Sequence, residues 1–271
     1  MIQSDFHLHT YFSGDSDSPM ESMIRSAISK GLTTICFTDH QDFAYQPQEK
    51  DENLCFDLDV EQYFLTIQQY KEKYQGKIEI LTGVEFGIKE GIGEQIHDMA
   101  NKYPFDFIIG SSHEAGGLDP YYPSYFESFG EEQGLKIYFE SILKNIEIFD
   151  GFQSYGHLDY VVRYLPSGSS FYKPERYFDI LDEAMKKIIA MGKGIECNTS
   201  GLKYGLKQTN PHIKILKRYK ELGGEILTIG SDAHKPEHIA YDFHIIPEAL
   251  KSINFKYYTI FRNKKPEFIK L

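Results

Sequence analysis

A chain of 271 residues that is 41% apolar and 25% charged is long enough to bury a full core by itself, so folding needs neither disulfides nor a structural metal. A formal net charge of −11 argues against nucleic-acid backbones and anionic membranes as partners, because both call for clustered Lys and Arg. Cys36, Cys55 and Cys197 are too few and too irregularly spaced for a disulfide framework, no apolar run approaches the roughly 20 residues of a membrane span, and no basic-then-apolar leader opens the sequence, so a cytoplasmic protein is expected.

A strand is expected over residues 2–8. Ser18-Pro19-Met20-Glu21 then combines an N-cap serine, a proline at the first helical position and a capping-box glutamate. That helix should run to Lys30, with Gly31 as its C-terminal cap. The β-branched run 33–38 reads as the second strand, followed by a polar, Pro-containing loop over 41–57 and a helix over 60–74. A strand over 77–86, a short helix over 95–102 and a strand over 105–110 come next. Residues 116–130 form a long loop carrying Tyr121, Tyr122, Tyr125, Phe126 and Phe129, which is expected to be ordered and folded over something. A helix over 131–148, a strand over 152–155, a helix from Pro174 to Met191 and a strand over 194–198 follow. Asn210-Pro211 caps a further helix ending at Gly223-Gly224, before strands over 225–230 and 257–261.

Strands separated by helices imply right-handed crossovers and a mostly parallel sheet. Seven or eight such units point to a barrel, and the lack of any linker or repeat places residues 1–271 in one domain. A doubly wound open sheet is the alternative, but its Gly-rich phosphate loop would stand where this chain has His7-Leu8-His9.

Of the 10 histidines, His7, His9, His40, His113, His157 and His234 fall at the C-terminal ends of predicted strands. Asp5, Asp39, Asp159 and Asp232 lie beside them, and Glu85 ends the third strand. In a parallel barrel these ends converge on one rim, where active sites form. Side chains alternate along a strand, so His7 and His9 share a face, as do Asp232 and His234. Any one such pair is more simply a hydrogen-bonded core or solvated pair. The whole set is not, because unpaired buried imidazoles and carboxylates cost several kcal/mol each, whereas divalent metal ions use both. With Asp15, nine candidate ligands exceed the four that one zinc takes, so two or three ions are expected, with Glu85 suited to bridging two of them. A water shared by two cations loses a proton near neutral pH and becomes a nucleophile suited to phosphorus. His97 and His212 are read as helix-surface residues, and His238 and His244 as loop residues.

Asp5-Phe6-His7-Leu8-His9-Thr10, Phe37-Thr38-Asp39-His40, Gly83-Val84-Glu85, Ser112-His113, Gly156-His157-Leu158-Asp159 and Ser231-Asp232-Ala233-His234 resemble, in order, the motifs of the PHP superfamily of polymerase and histidinol phosphatase domains. Three further segments resemble its monofunctional histidinol-phosphatase branch: Phe12-Ser13-Gly14-Asp15, Arg163 following the His157 motif, and Glu196-Cys197-Asn198-Thr199-Ser200-Gly201. The resemblance implies a distorted (β/α)7 TIM-like barrel with a trinuclear site. It implies His7, His9, Glu85 and Asp232 for one metal, Glu85, His113 and His157 for a second, and Asp15, His40 and His234 for a third. Some relatives have His where this chain has Asp15, which leaves the site more negative; zinc, manganese and iron all suit the donors.

The site points to phosphomonoester hydrolysis, and the resemblance implies the small-molecule substrate: L-histidinol phosphate, hydrolysed to L-histidinol and phosphate in a step of histidine biosynthesis. Arg163 would hold the phosphoryl oxygens, and Asp232 or His234 would relay a proton to the leaving alkoxide. Asp42 and Glu114, each directly after a metal motif, are candidates for the ammonium and imidazole of the substrate. The rivals are a PHP phosphoesterase acting on nucleotides or phosphotyrosine, and a non-catalytic PHP accessory module; intact ligands at every motif count against the second.

Overall fold

The computed structural model describes residues 2–48, 51 and 54–271. In chain order its elements are β1 (Ser4–Leu8), α1 (Met20–Ser29), β2 (Thr34–Phe37), β3 (His40–Gln41), α2 (Val60–Lys73), β4 (Glu79–Gly87), α3 (Gly93–Lys102), β5 (Phe107–Ser111), α4 (Pro123–Phe129), α5 (Glu131–Ile148), β6 (Ser154–Tyr155), α6 (Phe178–Ala190), β7 (Gly194–Asn198), α7 (Ser200–Lys203), α8 (Ile213–Glu221), β8 (Leu227–Gly230), α9 (Ile246–Ser252), β9 (Tyr257–Arg262) and β10 (Lys265–Lys270).

The strands pair in the order β1-β2-β4-β5-β6-β7-β8, always in parallel. β3 keeps the register of β2 along β4, since Phe37 faces Thr82 and His40 faces Glu85. The two are therefore one strand interrupted at Thr38-Asp39. β1 meets the end of β8 through the His9 amide on the Ala233 carbonyl (3.0 Å) and the Ala233 amide on the His7 carbonyl (3.3 Å). These bonds bend the sheet into a nearly closed barrel of seven parallel strands, not the open alternative. Every residue of β1, β2, β5, β7 and β8 is buried, because side chains fill the barrel within and helices cover it without. Met20, Met23, Ile24 and Ala27 of α1 and Leu181, Ala184, Met185 and Ile188 of α6 supply that cover at helical spacing.

The strand expected at 257–261 forms outside the barrel, as β9 of an antiparallel hairpin with β10. Phe261 stacks on Phe107 at 5.3 Å, Thr259 Oγ1 accepts from the Leu227 amide (3.2 Å), and Arg262 Nε donates to Glu79 (2.6 Å). All three partners begin strands, so the hairpin caps the N-terminal end of the barrel and leaves the other rim for chemistry. Among the described residues, no helix is long and apolar enough to cross a membrane.

Two expected caps form differently. Ser18 makes no cap to α1; its hydroxyl donates to the His234 carbonyl at 2.7 Å, and Glu21 turns to the Tyr74 hydroxyl and Lys73. α8 is capped by His212, whose Nδ1 accepts from the Lys214 amide (3.0 Å), because the Asn210 side chain is taken by Asp159 (2.7 Å). The aromatic loop at 116–130 contains α4, which buries Tyr125 and Phe126 and ties the Tyr125 hydroxyl to the Gly134 carbonyl of α5 at 2.8 Å.

Candidate metal centre

Glu85 of β4 is fully buried at the centre of the C-terminal rim. Its Oε2 lies 2.9 Å from His7 Nε2, 3.4 Å from His9 Nε2 and 3.2 Å from His40 Nδ1. Its Oε1 lies 3.0 Å from His157 Nε2 and 3.3 Å from His113 Nε2, and accepts from Ser111 Oγ at 2.6 Å. One carboxylate thus faces five imidazoles drawn from four strand ends or the loops after them. Asp232 Oδ1 stands 3.5 Å from His9 Nε2, 3.6 Å from His234 Nδ1 and 3.8 Å from His7 Nε2. Asp15 closes the outer side, 3.0 Å from His234 Nε2 and 3.7 Å from His40 Nε2. Asp232 holds a left-handed φ of 52°, a conformation that L-residues adopt at a cost and that collects at functional sites.

Burial alone would lower the His7 ring's pKa, but Glu196, Glu85 and Asp232 around it raise it well above the usual value. Burial would likewise raise Glu85, and His7, His113 and His40 hold it well below the carboxylate range instead. His9 goes the other way: burial and the neighbouring His234, His40 and His7 keep it neutral, with a free lone pair. Among the described residues, no hydrogen bond of good geometry reaches the buried His9 Nε2, His40 Nδ1 or His234 Nε2, although the last two stand close to the Glu85 and Asp15 carboxylates. An orphaned buried polar atom costs about 1–3 kcal/mol, and a divalent cation relieves it. The triads His9/His40/His234, His7/His9/Glu85, His7/His157/Asp232 and Glu85/His113/His157 each bring their donor atoms within 4.8 Å of one another. These imidazole and carboxylate sets could hold metal ions of the zinc, manganese or iron type.

The far nitrogens of the rings are fixed by residues behind them. His7 Nδ1 meets Glu196 Oε1 at 2.7 Å, and Glu196 Oε2 also accepts from the His157 amide at 3.0 Å. His113 Nδ1 meets Asp42 Oδ2 at 2.6 Å, and His9 Nδ1 meets Ser13 Oγ at 3.0 Å. Such partners set the tautomer and aim the near nitrogen inward. Glu196 stands in the sequence only as part of a motif; its alternation with Asn198 on β7 is the signal that both face inward.

Asp5, Asp39 and Asp159 neighbour the ligands in sequence but point away from them. Asp5 accepts from the Ser231 and Ala240 amides (both 2.9 Å), Asp39 from the Thr10 amide (2.6 Å) and Ser13 Oγ (2.8 Å), and Asp159 from Asn210 Nδ2 (2.7 Å) and the His212 amide (2.8 Å). They brace loops, and burial pushes each carboxyl up to about 6.

A cavity of about 520 Å³ opens over the cluster, lined by Asp15, His40, His113, His157, Asp232 and His234 and also by Asp42, Arg163, Lys203 and His238. Arg163 reaches it from the 3₁₀ turn Tyr160–Tyr164; its guanidinium donates to Asp232 Oδ2 (3.0 Å), Asn210 Oδ1 (3.2 Å) and Ser200 Oγ. Asp42 is a partner of His113 whose other oxygen accepts from the Gly87 amide at 3.0 Å. Glu114, expected at this rim, does not line the cavity; it pairs with Lys89 in a separate cleft. His97 is remote, its ring edge-on to Phe149 at 5.0 Å, whereas His238 lines the cavity mouth.

The profile of the PHP domain family matches residues 5–200. The chain is similar to the histidinol-phosphatase of Lactococcus lactis, 31% identical over 267 residues that cover 98% of this chain and 96% of the relative. It is also similar to a probable histidinol-phosphatase of Clostridium acetobutylicum, 33% identical over 93% of this chain and 94% of that one. The crystal structure of the Lactococcus lactis histidinol phosphate phosphatase, complexed with zinc, L-histidinol and phosphate, superposes with a TM-score of 0.87 at 30% identity, covering 98% of each chain. Matched in sequence across most of its length, with the barrel and the rim cluster in place, this chain belongs to the PHP domain family.

Proposed function

We propose that this protein is a metal-dependent phosphomonoesterase that hydrolyses L-histidinol phosphate to L-histidinol and phosphate, with residues 1–271 acting as one PHP-type unit in the cytoplasm. The observation that carries the metal dependence is Glu85, a buried carboxylate ringed by five imidazoles, with donor nitrogens of His9, His40 and His234 making no hydrogen bond among the described residues. The end-to-end likeness to an enzyme whose crystal structure contains zinc, L-histidinol and phosphate supports the substrate. The three free cysteines suit a reducing compartment.

His7, His9, Asp15, His40, Glu85, His113, His157, Asp232 and His234 would hold two or three ions of zinc, manganese or iron. When bound, such ions acidify water and draw charge from phosphoryl oxygens. Glu196, Asp42 and Ser13 keep the rings aimed. Arg163, only 6% exposed in its side chain, offers a phosphoryl group a charged, forked donor in a dry setting. The leaving oxygen takes its proton by way of Asp232 or His234; His234 is the more open to solvent, at 18% against 7% exposure. Phosphate release from L-histidinol phosphate, compared with nucleoside monophosphates and phosphotyrosine on the metal-replete protein, tests the reading.

A further inference from the structure

We propose that Asp119 is the cation-recognising residue of the cavity, the group that selects a phosphomonoester bearing a protonated amine. The inference rests on the function proposed above and names the residue that reads the non-phosphate half of the substrate.

Asp119 lies in the loop after β5, at the same end of the barrel as the metal cluster, and lines the same cavity. It is 5% exposed. Its Oδ2 accepts from the Tyr45 hydroxyl (2.9 Å) and its Oδ1 from the Tyr121 amide (2.8 Å). Both donors are neutral, and among the described residues no lysine, arginine or histidine forms an ion pair with it. Burial pushes its carboxyl up to about 6, against the opposite pull of its two hydrogen bonds and of His113. The other carboxylates that burial affects in this way, Asp5, Asp39 and Asp159, brace loops and do not line the cavity.

The walls around Asp119 also favour a cation. The Tyr121 ring meets Tyr164 edge-on at 5.7 Å, and Tyr164 meets Tyr160 at 5.2 Å. The Arg163 guanidinium lies 5.0 Å from the Tyr160 ring centre. A chain of aromatic contacts therefore joins the carboxylate to the guanidinium along one wall. Electron-rich ring faces attract ammonium and imidazolium groups, and a buried carboxylate adds a hydrogen-bond acceptor of matching charge. A ligand with an anionic phosphoryl group and a cationic amine matches this polarity. The two carboxylates expected to do this work are otherwise engaged, Asp42 by His113 and the Gly87 amide, and Glu114 by Lys89.

The test is Asp119→Asn, which keeps the size and one acceptor, while the Tyr45 hydroxyl can turn to accept from the new amide. Metal content is measured in each variant. With L-histidinol phosphate, kcat/KM should fall roughly ten- to a hundred-fold, the usual worth of a hydrogen bond to a charged group. With p-nitrophenyl phosphate, which has no cation, it should stay within about threefold. The Ki of L-histidinol should rise by the same factor as the histidinol phosphate loss, and that of inorganic phosphate should not move. Asp119→Glu, which keeps the charge, should recover part of the loss. Equal losses on both esters, or no loss on either, would overturn the assignment. A wild-type protein inactive on L-histidinol phosphate would sink the proposed function alone. O-phosphoethanolamine against glycerol 2-phosphate then decides Asp119: an amine preference that disappears in Asp119→Asn supports it, and no preference in the wild type overturns it.

Discussion

Replacing Arg163 by methionine isolates the guanidinium that lines the cavity beside the metal cluster. The arginine side chain is 6% exposed, bonds Asp232 Oδ2 at 3.0 Å and Asn210 Oδ1 at 3.2 Å, and lies about 5 Å from the ring centres of both Tyr160 and Tyr204. Methionine preserves the apolar contact with those rings and removes the charge and the donors. Charge on the phosphoryl oxygens changes as the P–O bond breaks, so the guanidinium is worth more in the transition state than in the ground state. Losing one charged donor from a dry site costs about 2–4 kcal/mol, roughly thirty- to a thousand-fold in kcat/KM. KM should rise and kcat should fall together. Lysine restores charge without the fork, so Arg163→Lys should recover only part of the loss. The assay is steady-state phosphate release from L-histidinol phosphate, with metal content and thermal unfolding checked for each variant. Wild-type kinetics in Arg163→Met would remove the residue from the mechanism.

Glu85→Gln should lose far more activity and metal than His97→Gln, since Glu85 faces five imidazoles and His97 lies against Phe149 away from the cavity; similar losses in two folded variants would misplace the site. Glu196→Gln should weaken metal affinity about ten- to a hundred-fold, the usual effect of removing a partner that orients a ligating histidine, and unchanged titrations by calorimetry would deny Glu196 that role. Metal analysis after purification without chelator should find more than one ion per chain, because nine donor residues exceed one ion's capacity; zero or one, even after supplementation, contradicts the cluster. Dialysis at pH 5 should strip more metal than dialysis at pH 8, as imidazoles must be deprotonated to ligate, and equal retention would point to another donor set.

The barrel was legible because strand and helix periods alternate cleanly from β1 to β8, and strand ends such as His7-Leu8-His9 and Gly83-Val84-Glu85 carry their chemistry with them. What the sequence hid depends on direction. Asp39, Asp42, Asp5 and Glu114 are all acids beside ligands, yet one braces Thr10 and Ser13, one holds His113, one ties Ser231 to Ala240, and one leaves the cavity for Lys89. Alternation does not separate these outcomes, because Asp39, Asp42 and Glu114 stand beyond strand ends, and β1 shifts its register between Asp5 and Leu8. Ser18 illustrates the same limit: its local context reads as a cap, but a hydrogen bond to the His234 carbonyl, made only once the barrel closes, claims its hydroxyl. Glu196 was within reach of strand alternation alone, as it shares the inward face of β7 with Asn198.

The most direct test of the account is kcat/KM of the metal-replete protein for L-histidinol phosphate beside nucleoside monophosphates and phosphotyrosine. The account expects L-histidinol phosphate to be preferred by orders of magnitude and all activity to vanish on chelation and return with zinc, manganese or iron. Equal or better turnover of a nucleotide or phosphotyrosine, or activity indifferent to chelation, would contradict it.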